Sequence, residues 1–187
     1  MEGSALRRLA DLLTVLQTLL ELPLLLALQA GHGGLGWSLL LLGGLSDAAD
    51  GWLARRAGGG SVWGARLDPL TDKILISAPL LVLAARGALP LWAVWLLLAR
   101  ELLISGWRAG QGSGGPASAS GKAKTVLQFA SLLLLLWPAG WGGGVAAALH
   151  RLGWWLFWPS LALALSSGVG YLGGVRNAAD PPAPHPR

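Results

Sequence analysis

Four aspartates of this chain lie within one segment of 26 residues, although the whole sequence holds only nine acidic residues. Asp47 and Asp50 are three residues apart, and Asp68 and Asp72 are four apart, so on helices each pair shares a face. The surrounding sequence is rich in leucine, and an ionised carboxylate in apolar surroundings is costly unless it faces water, another group or a metal ion. The four side chains therefore form a candidate functional site.

The donor set of this segment favours a hard divalent cation. The sequence has no cysteine, and carboxylate oxygens without histidine or cysteine favour Mg²⁺ or Mn²⁺ over zinc. Four carboxylates can hold two such ions about 4 Å apart, an arrangement that stabilises the attacking and leaving oxygens of phosphoryl transfer. Between the pairs, Gly51 and Gly64 allow close backbone approach and Arg55 is a bidentate donor for phosphate. The alternatives are an acid–base cluster that joins helices and an aspartate-lined cation pathway.

Composition predicts that helices of a membrane protein position this site. The chain is 53% hydrophobic and only 12% charged, whereas soluble domains carry roughly a quarter charged residues. Apolar runs of about 20 residues, enough to cross a bilayer, recur along it. We predict an all-α, polytopic integral membrane protein of about six transmembrane helices, at residues 9–29, 35–54, 67–85, 89–107, 123–141 and 152–172. One membrane domain would cover residues 1–176, and the proline-rich tail 177–187 is predicted to be disordered.

The ends of the chain's apolar runs indicate its orientation. The first run could instead be a signal peptide after Arg7 and Arg8, but Asp11 and Glu21 interrupt it and it is longer than a signal core. With the N-terminus inside, basic residues concentrate on the inner side, as the positive-inside rule requires. Inner segments then hold Arg7, Arg8, Arg55, Arg56, Arg66, Arg108, Lys122, Lys124, Arg176 and Arg187, and outer segments hold Arg86 and Arg151. All four aspartates are thereby predicted to lie near the cytoplasmic surface of the cell membrane.

The aspartate segment also resembles the signature of the CDP-alcohol phosphotransferase family. The pattern D-x2-D-G-x2-A-R-x8-G-x3-D-x3-D is matched at each fixed position, by Asp47, Asp50, Gly51, Ala54, Arg55, Gly64, Asp68 and Asp72. The resemblance implies a two-metal site that binds a CDP-linked donor and transfers its substituted phosphate to an alcohol, with release of CMP. It assigns all four aspartates to Mg²⁺ or Mn²⁺, and Asp72 also to activation of the acceptor hydroxyl. The remaining signature residues, Gly51, Ala54, Arg55 and Gly64, would surround the cytidine diphosphate.

Residues after the signature are candidates for choosing the acceptor. Arg108, Lys122 and Lys124 lie on the predicted inner side, where cations would bind the phosphate of an acceptor. Together with Arg100 and Glu101, the segment Gly-Lys-x-Lys-Thr-x-x-Gln from Gly121 resembles the phosphatidylglycerophosphate synthase subfamily. Ser167, Gly168 and Tyr171 resemble the ending of that subfamily. The resemblance implies CDP-diacylglycerol as donor, sn-glycerol 3-phosphate as acceptor, and a homodimer in the lipid bilayer; no nucleic-acid partner is expected.

Several alternatives remain open from the sequence alone. The acceptor could be inositol phosphate, serine or phosphatidylglycerol, and a catalytically silent protein that binds lipid or nucleotide is the rival outside the enzyme class. Lys122 and Lys124 could be topology anchors, and Arg100 and Glu101 a buried ion pair. One position departs from the subfamily: Gln17 stands where its first helix usually carries an arginine near the donor phosphates.

Overall fold

The computed structural model describes residues 2–56, 64–110, 119–142 and 144–179. These residues form α-helices and turns and contain no strand, which confirms the all-α prediction for the described part of the chain. The helices are α1 (Glu2–Gln29), α2 (Gly33–Arg56), α3 (Gly64–Ala85), α4 (Leu91–Gly110), α5 (Ala119–Leu135) and α6 (Gly144–Ala179).

Each of the six predicted spans falls on one helix, with differences at the ends. The fifth span was predicted to reach residue 141, but α5 ends at Leu135 because Pro138 disfavours helical geometry just before it. The sixth helix begins at Gly144, eight residues before the predicted span, and extends to Ala179. The tail predicted from residue 177 thus begins within α6, and residues 180–187 lie outside the described part.

Among the described residues, no helix is both long enough and apolar enough to cross a membrane. The predicted transmembrane spans therefore stay a prediction.

Two helices end in the same hydrogen-bonded motif. At the end of α1, Gly31 N–H donates to the Leu28 carbonyl (3.2 Å) and His32 N–H to the Ala27 carbonyl (2.9 Å). At the end of α3, Gly87 and Ala88 donate in the same pattern to Ala84 (3.0 Å) and Leu83 (2.9 Å). The two glycines have φ of 80° and 70°, the left-handed conformation that this helix ending requires and that glycine adopts without a steric penalty.

Helix α1 packs into the same core as the other helices. Leu24 and Leu28 are completely buried, and both belong to one cluster with buried side chains of α2 to α6. The Arg86 guanidinium, at the α3–α4 turn, donates to the Leu28 carbonyl near the end of α1.

Candidate functional site

The aspartate pairs lie on two helices that follow each other in the chain. Asp47 and Asp50 belong to the last turns of α2, and Asp68 and Asp72 to the first turns of α3. The two helices touch just beyond the pairs, since a Cβ on Gly43 would lie only 2.7 Å from Leu75 Cδ1. The backbone thus places one aspartate pair in the last turns of α2 and the other in the first turns of α3, and the convergence of their carboxylates stays a prediction.

The side chains of this site are described only in part. Asp47 is half-buried and Gly51 is partly exposed. The side-chain positions of Asp50, Ala54, Arg55, Gly64, Asp68 and Asp72 lie outside the described residues. No cluster of three or more metal-ligating side chains occurs among the side chains that are described, a set that excludes three of the four aspartates. The donor set, hard carboxylate oxygens at one end of two helices, fits Mg²⁺ or Mn²⁺ in chemical type.

Helix α1 adds a polar surface that the sequence prediction did not assign. Gln17 and Glu21 are one turn apart and only 1% and 5% exposed. Both amide atoms of Gln17 and Oε1 of Glu21 are buried without a hydrogen-bond partner. Burying polar atoms without partners costs free energy, so this pair is unusual for a purely structural helix face. In the sequence, Gln17 departs from the arginine usual in the subfamily, but no local pattern indicates that its side chain is buried.

Helix α1 packs along α2, the helix that carries Asp47. Leu28 of α1 packs so closely on Gly36 of α2 that a Cβ there would overlap its side chain. From this contact Glu21 and Gln17 follow at helical spacing toward the N-terminus of α1. On α2 the same spacing leads from Gly36 through Gly43 to Asp47. Pro23 lies between Leu28 and Gln17 in α1, so this spacing does not by itself set the side chains of Gln17 and Asp47 opposite each other.

We expect that Gln17→Leu stabilises the fold. The substitution keeps the side-chain volume nearly constant and removes two unpartnered polar atoms, which should raise the free energy of unfolding by about 1 kcal/mol. Thermal unfolding of the purified protein should show a midpoint about 2–4 °C higher. The matched control is Gln29→Leu, at the exposed end of the same helix, which should leave the midpoint unchanged. A lower midpoint for Gln17→Leu would show that the amide has a stabilising partner.

A second polar cluster joins α4, α5 and α6. Oε1 of Glu101 accepts from Lys124 Nζ (2.5 Å) and from Arg100 Nη1 (3.0 Å). Arg100 Nη2 donates to Ser167 Oγ of α6 (2.8 Å). Lys124 is 8% exposed, so the structure places this predicted acceptor ligand in a largely buried ion pair. Its role in acceptor binding stays a prediction, as do those of Arg108 and Lys122, whose side chains lie outside the described residues.

Of the two alternatives left open for Arg100 and Glu101, the structure shows the ion pair, as a partly buried contact. The sequence does not indicate a hydrogen-bond partner for Ser167. In the structure its hydroxyl accepts a hydrogen bond from Arg100. Ser167 belongs to the residues of the subfamily resemblance, but that resemblance implies no partner for it. Tyr171 lies on α6, and its side chain falls outside the described residues.

Comparison with known proteins defines the class to which this helical domain and its aspartate signature belong. The CDP-alcohol phosphatidyltransferase family matches residues 7–166, which include the whole signature and the Arg100–Lys124 region. The chain belongs to this family.

The relatives are named for two activities, the synthesis of phosphatidylglycerophosphate and the synthesis of cardiolipin. A Mycobacterium tuberculosis protein named "Probable phosphatidylglycerophosphate synthase" is 33% identical over 186 residues, 91% of this chain and 86% of its own. A Bacillus subtilis CDP-diacylglycerol–glycerol-3-phosphate 3-phosphatidyltransferase is 36% identical over 104 residues, 54% of each chain. A Streptomyces coelicolor cardiolipin synthase (CMP-forming) is 40% identical over 149 residues, 75% of this chain and 68% of its own.

Proposed function

We propose that this protein transfers the phosphatidyl group of CDP-diacylglycerol to sn-glycerol 3-phosphate, giving phosphatidylglycerophosphate and CMP. The observation that carries the proposal is the similarity to the mycobacterial phosphatidylglycerophosphate synthase along nearly the whole of both chains. The intact CDP-alcohol signature at the end of the α2–α3 hairpin supports the reaction class.

The proposed reaction uses the residues of the signature in distinct roles. Asp47, Asp50, Asp68 and Asp72 would hold two Mg²⁺ or Mn²⁺ ions, which when bound supply electrostatic stabilisation at the transferring phosphoryl group. Gly51, Ala54, Arg55 and Gly64 surround the cytidine diphosphate.

In the transfer itself, Asp72 accepts the proton of the free primary hydroxyl of the acceptor. The hydroxyl oxygen attacks the lipid-side phosphorus of the donor. The bond from that phosphorus to the bridging oxygen breaks, and CMP leaves with that oxygen. Arg108, Lys122 and Lys124 bind the phosphate of the acceptor through charge-assisted hydrogen bonds.

A location in the cell membrane, with the site facing the cytoplasm, is part of the same proposal. Large apolar side chains are exposed on the outer faces of the helices, among them Leu19 (67%), Leu103 (72%) and Trp155 (67%). Exposed large apolar side chains in this number suit lipid or another protein chain. The basic residues of the predicted inner segments suit the anionic cytoplasmic face of a bilayer. A homodimer, which the family resemblance implies, would cover part of the same surface.

A second acceptor is favoured by one specific comparison. The Streptomyces relative with 40% identity is named for cardiolipin synthesis. Phosphatidylglycerol is the acceptor expected for such an activity, and it also presents a phosphate and a free hydroxyl. The same aspartates would serve either acceptor, so the signature cannot discriminate between them.

One assay separates these possibilities. The purified protein is incubated with CDP-diacylglycerol, Mn²⁺ and one of glycerol 3-phosphate, phosphatidylglycerol, inositol phosphate or serine, and CMP release is measured. Release that depends on glycerol 3-phosphate is the expected result. Release only with phosphatidylglycerol would reassign the protein to cardiolipin synthesis, and no release with any acceptor would favour a silent lipid- or nucleotide-binding protein.

A further inference from the structure

The ion cluster at Glu101 is built around a single carboxylate oxygen. Oε1 of Glu101 contacts both the Lys124 ammonium, at 2.5 Å, and the Arg100 guanidinium, at 3.0 Å. Lys124 comes from the first turns of α5, whereas the other two residues are neighbours on α4. The carboxylate therefore fixes the position of the α5 ammonium relative to α4.

Helix α6 holds this carboxylate in place through the arginine. Ser167 Oγ accepts from Arg100 Nη2 at 2.8 Å and in turn donates to the Ala164 carbonyl at 3.0 Å. The side chains of Arg100, Glu101 and Lys124 are only 12%, 17% and 10% exposed. Charges that are largely removed from water interact more strongly than surface pairs, so this arrangement is not a loose surface contact.

The charges of the cluster do not cancel. Two cations share one carboxylate, which leaves one positive charge in excess. The bond to Glu101 uses one of the three N–H donors of the Lys124 ammonium. Nε of Arg100 is buried without a partner. An anion that approaches Lys124 would thus find a fixed cation with donors to spare.

We propose that Glu101 is a positioning residue for the acceptor: its carboxylate, locked through Arg100 to Ser167, holds the Lys124 ammonium where its remaining donors can bind the acceptor's phosphate. The proposal rests on the proposed function, because it concerns the acceptor end of that same site. It assigns to Glu101 and Ser167 roles through Lys124 rather than contacts of their own with the substrate.

Removing the carboxylate would affect both cations. Without Glu101 the buried ammonium and guanidinium would lose their shared counter-charge and repel each other. The flexible lysine stem would then carry its ammonium toward water. Binding of the acceptor would suffer because an ordered cation is replaced by a mobile one, while the donor site on α2 and α3 would be unaffected.

The test is a double-mutant cycle on the purified protein, with CMP release measured against varied glycerol 3-phosphate and, separately, varied CDP-diacylglycerol. Glu101→Gln should raise the acceptor KM about tenfold, as expected for loss of a charge-assisted hydrogen bond. The donor KM should stay within about twofold of the wild-type value, since no donor contact changes. Glu101→Asp, which retains the charge, should recover part of the loss.

The cycle shows whether Glu101 acts through Lys124. In a Lys124→Met background, Glu101→Gln should have no further effect on the acceptor KM, because the residue that it positions is gone. In a Lys122→Ala background the two effects should add. Additive effects of Glu101→Gln and Lys124→Met on the acceptor KM would overturn the proposal. So would a Glu101→Gln variant that lowers the unfolding midpoint but leaves the acceptor KM unchanged, because the cluster would then only stabilise the fold. A lower acceptor KM would also overturn it, since Glu101 would then be a competitor of the acceptor phosphate.

Two further measurements keep the test decisive. Should Glu101→Gln fail to fold, Ser167→Ala removes only the lock on Arg100 and should raise the acceptor KM in the same direction by a smaller factor; no change would count against the proposal. The wild-type protein serves as the reference for the function itself. If it releases no CMP with glycerol 3-phosphate, the proposed function fails and this inference with it. If it does and the variants leave the acceptor KM unchanged, only the inference fails.

Discussion

Asp72→Asn is expected to reduce CMP release by about two to four orders of magnitude, the usual contribution of a general base. An asparagine amide has nearly the shape of the carboxylate but cannot accept the proton of the acceptor hydroxyl. It is also a weaker ligand for a divalent cation, so both proposed roles of this residue are removed together. The measurement is the rate of CMP release from CDP-diacylglycerol at saturating glycerol 3-phosphate and Mn²⁺.

Loss of activity must be separated from loss of fold. The unfolding midpoint of Asp72→Asn should stay close to the wild-type value, because the substitution is isosteric and lies in the first turns of α3. Asp180→Asn is the matched control, since it removes an acidic residue of the predicted tail and should leave CMP release unchanged. Activity of Asp72→Asn near the wild-type rate would show that another group accepts the proton.

Gly153→Ala is expected to destabilise the protein by about 2–3 kcal/mol. A Cβ at this position would lie 2.8 Å from the Leu135 backbone nitrogen and 2.9 Å from the Ser131 carbonyl oxygen. Backbone atoms cannot rotate away as a flexible side chain can, so α5 and α6 would have to separate. The same movement would weaken the 2.7 Å hydrogen bond from Ser131 Oγ to the Gly153 carbonyl.

Thermal unfolding measures this effect directly, with an expected decrease in the midpoint of about 5–10 °C. The control is Gly106→Ala on α4, where a Cβ would meet nothing within 4 Å. There the higher helix propensity of alanine should raise stability by up to about 1 kcal/mol. Two identical substitutions in helices should therefore have opposite signs, and equal effects would contradict the close approach of α5 and α6.

The helices and the placement of the aspartates could be predicted from the sequence because both depend on local patterns. Apolar runs of about 20 residues marked the six helices of the described part of the chain. The spacings of three and four residues place each aspartate pair on one face of its helix. The predicted helix ends were less accurate. Helix α5 ends before the turn that contains Pro138, and α6 begins before the leucine-rich segment that marked it. The membrane location, the metal ions and the side-chain roles of all four aspartates remain predictions.

Contacts between distant segments could not be predicted in the same way. Nothing local to Ser167 indicates that it accepts from Arg100, 67 residues earlier in the chain. Burial of Gln17 and Glu21 likewise depends on how α1 packs against its neighbours, because a polar residue in an apolar run is compatible with either face. Lys124 was singled out as an acceptor ligand from its charge, but its pairing with Glu101 required the fold.

The Glu101 cluster also suggests how members of this family could diversify. It joins α4, α5 and α6, whereas the aspartates belong to α2 and α3, so residues of the cluster can be replaced without altering the signature itself. The segment from α4 into α5 could be exchanged between relatives with different acceptors while α2 and α3 stay unchanged. The residue at position 167 would have to be exchanged together with that segment, because it contacts Arg100. Chimeras with the Streptomyces protein, made with and without that serine position, would show whether the boundary between chemistry and substrate choice is a transferable module.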